Sequence, residues 1–355
     1  MALNTKSWTL LVVVLGLAFL SGLSWILLNW IGTDQPAMTP ALRESLATLP
    51  NDSATPNLQI TSAERFQDVK NVPQGLFSYG GATSWAPIRQ TVDQQIMKAF
   101  PEFQLRYLDP PLDPIGTTAG LDLLLADQLT FLQSSQSLES SAFQSARDRG
   151  FRLQQIPVAI DSIVFVVSPE LNLTGLNLEQ IRQIYRGEIT NWQQVGGPNL
   201  SIQPLARSPE SGGTVQEFQR QILNNQSFVK AVTVVPTTTQ AIRQLQNTPG
   251  GIYFASGATV LGQCNVKSLP ISRRGTDYVA PYQLPYVPTT DCPEQRNRIN
   301  ADAMRSGNYP LTRQLFVVIK QNGLRDQTAG LAYVNLLLTN EAQQEISEAG
   351  YVNLY

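Results

Sequence analysis

Apolar and polar positions alternate in blocks along most of this chain. Apolar runs of strand length give way to turns of small residues, and these to segments with apolar residues three or four apart. Residues 76–79, 104–108 and 129–132 predict strands, with helices over 87–100, 121–127 and 142–150. Residues 155–168 (QIPVAIDSIVFVVS) predict a long buried strand, interrupted by Asp161, that crosses between domains. Further strands are predicted at 201–207, 231–235, 251–254, 266–270 and 315–320. Helices are predicted at 176–185, 215–223, 239–246, 329–339 and 341–349, and residues 272–308 read as a loop-rich excursion. The alternation predicts an α/β protein with mainly parallel sheets, in two lobes joined by crossing strands around a hinged cleft.

The pattern breaks at the N-terminus. No charged residue occurs from Trp8 to Ile31, and such a stretch is long enough to span a bilayer as a helix. Trp25 and Trp30 sit near its outer end as interfacial anchors, and no A-x-A site follows closely. An uncleaved anchor is therefore expected, with a cleaved signal peptide as the alternative. Lys6 before the span and Asp34 after it place the body outside the cytoplasm, on the periplasmic face of the inner membrane. Residues 34–72, with Pro36, Pro40, Pro50 and Pro56, read as a tether. The expected organisation is an anchor at 1–33, the tether at 34–72, one lobe from 73–166 and 257–355, and a second lobe from 167–256.

Composition narrows the chemistry. The 355 residues contain no histidine, which removes His-based triads, His general bases and His-ligated metal sites. Net charge is −2, so no basic field argues for nucleic acid. No metal cluster or cofactor motif is present, and no nucleophile has an evident base, so an enzyme is not expected. Cys264 and Cys292 do not form a CxxC; in an oxidising exterior they can pair, and two buried free thiols are the alternative.

Three turns share one design: a strand, a small-residue turn with hydroxyls, and a helix start. They are Gly80-Gly81-Ala82-Thr83-Ser84, Gly116-Thr117-Thr118-Ala119-Gly120 and Arg207…Ser211-Gly212-Gly213-Thr214. Free N–H groups and the dipole at a helix start, with hydroxyls and a guanidinium, suit a tetrahedral oxyanion. Ordinary helix capping explains any one of these turns. In an open α/β sheet, however, such turns gather at the carboxyl ends of the strands, where ligands bind.

The run Tyr185-Arg186-Gly187-Glu188-Ile189-Thr190-Asn191-Trp192, the Arg207–Thr214 loop and Gly251-Ile252-Tyr253 together resemble the substrate-binding protein of the high-affinity phosphate ABC transporter. The segments YGGATSWAPIR, TRQLFVVIK and AGYVNL look closest to cyanobacterial-type variants. The resemblance covers residues 74–355 and implies a type II periplasmic-binding-protein fold that closes on a dehydrated oxyanion, most simply phosphate, and delivers it to ABC permease subunits. It implies Thr83 and Ser84 as donors of the first lobe, and Thr117 as the counterpart of a serine in the second turn. In the second lobe it implies Arg207, Ser211, Gly212 and Thr214, with Gly213 as one extra residue. Ser135 stands where well-studied relatives carry an Asp that accepts the proton of hydrogen phosphate, which puts the discrimination against sulfate in question. Asp161 reads either as a hydrogen-bonded core carboxylate or as the replacement acceptor. The competing reading is a membrane-tethered oxyanion sensor or interaction module with a modified site.

Overall fold

One long strand joins the two lobes. β4 (Arg152–Val167) is buried on both faces along most of its length. Its first part, to Ser162, pairs antiparallel with β11 (Thr312–Gln321); from Ile163 onward it pairs with β8 (Gly251–Ser256). The computed structural model describes residues 60, 63–108, 116–209 and 212–354, all in one compact unit. The expected span at 8–31, most of the tether and Ser211 lie outside the described residues. Among the described residues no helix is long and apolar enough to cross a membrane.

The remaining strands flank this pair. β1 (Gly75–Gly81), β2 (Phe103–Tyr107) and β3 (Phe131–Ser134) extend the sheet beyond β11. β6 (Gln203–Ala206) and β7 (Thr233–Val234) extend it beyond β8, giving the order β2-β1-β3-β11-β4-β8-β6-β7; the short β9 (Lys267–Ser268) also pairs with β4, and β5 (Leu176–Asn177) and β10 (Ile271–Ser272) pair apart from it. The outer pairs are parallel, as the alternation predicts. The central pairs β3–β11, β11–β4 and β4–β8 are antiparallel. The mainly parallel expectation fails there because β4 carries the chain out of the first lobe and β11 brings it back alongside, so the two strands run in opposite directions. The β4–β11 register slips between Leu315 and Phe316, opposite Pro157. A proline cannot donate to the ladder, so a bulge is the economical solution at that point.

Each lobe has its own aromatic centre. Phe131 stacks between Tyr79 and Tyr333 at 5.3 and 4.5 Å. In the second lobe Phe218 stacks on Phe254 at 4.0 Å, with Tyr185 edge-on to both. This second core continues through Val260, Leu269, Tyr282, Ile299 and Met304. Residues of the 257–311 stretch, expected in the first lobe, thus pack against β4 and β8 of the second. The loop-rich excursion also contains a helix, Ala301–Arg305, and a disulfide joins Cys264 to Cys292, with Cα atoms 5.5 Å apart.

The helix after the first turn runs through Ala86–Ile88, a widened turn at Arg89–Asp93, and Gln94–Ala99. The wide turn carries Asp93 inward. Tyr79 and Tyr333 donate their hydroxyls to its two oxygens at 2.5 and 2.7 Å. Burial pushes this carboxyl up to about 6, against the opposing pull of the two tyrosine hydrogen bonds.

Candidate functional site: a donor-lined cavity between the lobes

Two of the three hydroxyl turns meet at one cavity. Thr83 and Ser84 follow β1 on a single tight turn, held by the Ala82 N–H donating to the Gln133 carbonyl at 2.8 Å. Arg207 follows β6. Gly212 leads into the helix Gly213–Ile222, whose first N–H groups have no partner within the helix. Gly212 has φ +136°, a conformation open to glycine, and a Cβ there would lie 3.2 Å from Thr83 Oγ1. The lobes therefore meet at this turn.

The cavity has a volume of about 180 Å3. Thr83, Ser84, Arg207, Gly212, Gly213 and Thr214 line it, together with Tyr253, Ser256 and other residues. Among the described residues at its wall, Arg207 carries a positive charge and none is acidic. The Ser84 hydroxyl is buried and has no protein partner. Hydroxyls, a guanidinium and a helix start are the kinds of donor that an anion takes hydrogen bonds from. A larger groove of about 940 Å3, by Gly262, Arg296 and Ser347, contains none of the expected residues. Its size suits a compact oxyanion poorly.

Thr117, Ser135 and Asp161 do not reach the cavity wall. Thr117 starts the helix Thr117–Leu125, and its hydroxyl accepts the Ser135 N–H at 3.2 Å. Ser135 is buried, and its hydroxyl, without a partner, packs behind Gly213: a Cβ on Gly213 would sit 2.2 Å from it.

Asp161 is fully buried on β4 and engaged by four protein donors. Its Oδ1 accepts the Ser162 N–H at 2.8 Å and the Ser256 hydroxyl at 2.6 Å. Its Oδ2 accepts Arg313 Nε at 3.1 Å and Nη2 at 2.8 Å. The carboxylate's lone pairs are thereby filled, which corrects the expectation that Asp161 replaces the acceptor by touching the ligand. Arg313 Nη2 also donates to Thr214 Oγ1 at 2.6 Å, across from β11 to the second lobe.

Sequence alone gives Arg313 no separate role, because the apolar run on β11 begins two residues later, at Leu315. Ser256 escapes sequence reasoning for a similar reason: the strand expected at 251–254 runs on to Ser256. Polar residues just beyond an apolar run were the available signal.

The motif YRGEITNW has a structural part. Tyr185 donates to the Leu205 carbonyl at 3.1 Å and Trp192 Nε1 to the Gly250 carbonyl at 3.1 Å. These bonds position β6 and β8, which carry Arg207 and Ser256 at their ends.

Two lobes of α/β structure, hinged on shared strands around a donor-lined cavity, define a binding-protein fold, and the chain belongs to the PBP superfamily domain family, which it matches over residues 63–341. Its relatives are more specific. It is 22% identical over 239 residues, 67% of each chain, to the phosphate-binding protein PstS of Staphylococcus aureus. In fold it is similar to a Clostridium perfringens substrate-binding protein assigned to phosphate ABC transport, with phosphate bound. That match has TM-score 0.62 and 18% identity, over 79% of this chain and 99% of the other. An ABC-type phosphate transport receptor from Vibrio cholerae matches with TM-score 0.60 and 22% identity, over 78% and 99%.

Proposed function

We propose that this protein is an extracytoplasmic substrate-binding protein that captures inorganic phosphate and presents it to an ABC permease. The observation that carries the reading is the cavity: hydroxyls of Thr83 and Ser84 from one lobe face Arg207 and the start of the helix Gly213–Ile222 from the other. An anion placed there bridges the lobes, and its hydrogen bonds favour the closed arrangement over the open one. The work is capture and release, and no bond of the ligand is broken. Names of the relatives support phosphate as the anion, and the two-lobed family supports presentation to a permease.

The apolar stretch 8–31 serves in this proposal as an uncleaved anchor, with residues 34–72 as a tether holding the body off the inner membrane. Retention of the intact N-terminus in alkaline-washed membranes supports the anchor; a mature chain starting after residue 31 removes it.

The direct test of the binding reading is calorimetric titration of the purified chain with phosphate. Tight 1:1 binding that Arg207→Ala weakens by about a hundredfold or more is the expected result, given the value of charge-assisted hydrogen bonds in a dehydrated site. A folded chain that binds no phosphate would make the tethered interaction module the better reading.

A further inference from the structure

Hydrogen directions around Asp161 point to a selectivity element at the cavity wall. Ser256 Oγ lies 2.6 Å from Asp161 Oδ1. A carboxylate can only accept, so the single hydrogen of the Ser256 hydroxyl is committed to it. What Ser256 has left for the cavity is a lone pair. Tyr351 is the other hydroxyl beside Ser256. It donates its own hydrogen to the Ser84 carbonyl, and burial raises its pKa far above neutral, so it stays protonated.

The opposite polarity holds at Thr214. Arg313, which has no lone pair to offer, donates to Thr214 Oγ1 at 2.6 Å. That oxygen is an acceptor towards Arg313, which leaves its hydrogen available to the cavity that Thr214 lines. One buried ion pair, Asp161 with Arg313, thus makes Ser256 an acceptor and Thr214 a donor.

We propose that Ser256, oriented by Asp161, is a specificity-determining residue that takes a hydrogen bond from the P–OH of a protonated oxyanion. The inference rests on the oxyanion reading above and narrows it to anions that keep a proton at neutral pH, such as hydrogen phosphate and arsenate. Sulfate and monofluorophosphate are dianions without a proton there; each would set a lone pair against the Ser256 lone pair, and a buried mismatch of that kind is costly. Asp161 acts through Ser256 and is a positioning residue.

The test is titration of the purified full-length chain with phosphate, sulfate and monofluorophosphate at neutral pH, in wild type and Ser256→Ala. The wild type is expected to bind phosphate about a hundredfold more tightly than either proton-free dianion. Ser256→Ala is expected to weaken phosphate about tenfold and leave sulfate unchanged or tighter, closing the gap. Equal loss of phosphate and sulfate in the variant, or no loss of either, overturns the assignment. Should Ser256→Ala not fold, as judged by its thermal transition, the wild type decides: comparable affinity for phosphate and monofluorophosphate overturns it. A folded wild type that binds none of the three anions overturns the oxyanion reading as well, so the two failures are distinct.

Discussion

Arg313 on β11 lies directly opposite Asp161 on β4 and holds its carboxylate through Nε and Nη2, at 3.1 and 2.8 Å. Both side chains are almost entirely buried, and the pair sits where β4 passes from one lobe to the other. Its hydrogen bonds reach Thr214 and Ser256, both at the cavity wall.

Breaking this pair from one side should be costly. Arg313→Ala leaves Asp161 charged and buried, so a loss of about 3–5 kcal/mol is expected in urea denaturation. Asp161→Leu with Arg313→Met removes both charges and should recover most of that loss. Phosphate affinity should remain weakened in the double variant, because Thr214 and Ser256 lose their orientation. A double variant as unstable as Arg313→Ala would show that the ion pair itself, and not the orphaned carboxylate, sets the cost.

Gly213 is a steric requirement for closure. Its Cβ, if present, would lie 2.2 Å from Ser135 Oγ and 3.5 Å from Arg313 Nη1. Gly213→Ala should therefore hold the lobes apart and weaken phosphate by about tenfold or more, the scale of one or two lost hydrogen bonds. Adding Ser135→Gly should restore part of the affinity. Wild-type affinity in Gly213→Ala would mean that the turn closes by another route.

Asp93 makes stability depend on pH with a definite sign. Its pKa is raised in the fold, from an ordinary 3.8 to about 6. Below pH 3.8 it is neutral in both states and costs nothing. Between there and pH 6 the unfolded chain loses the proton while the folded chain keeps it, so stability falls as pH rises. Above pH 6 the full penalty applies, about 3 kcal/mol for a shift of this size. Asp93→Asn should flatten the stability profile between pH 4 and 6. Denaturation profiles of equal slope in the two proteins would contradict this.

The disulfide closes a stretch with sequence separation 28 in the segment that packs on the second lobe. Cys292→Ser should lower stability by about 3–4 kcal/mol through the longer reach of the unfolded chain. Phosphate affinity at a temperature where the variant is folded should stay the same, because neither cysteine lines the cavity. A parallel fall in affinity would place the bridge in the binding mechanism.

Period and punctuation alone made much of the α/β order legible. The helix expected at 239–246 is Thr238–Gln246, that at 341–349 is Asn340–Glu348, and the crossing strand expected at 155–168 is Arg152–Val167. Burial of an amphipathic face imposes a periodicity that the chain displays residue by residue. The turns at Thr83–Ser84 and Arg207–Thr214 stand out too, because small hydroxyl-bearing turns recur between strand and helix, although capping alone would explain any one of them. Lobe membership of residues 257–311 was not legible, since packing between distant segments leaves no local pattern. Neither was the pairing of Asp161 with Arg313, separated by 152 positions in sequence and joined only by strand register. That register decides which hydroxyl donates and which accepts at the cavity wall. A hydrogen bond's direction depends on the partner at its other end, and only the tertiary fold brings those partners together.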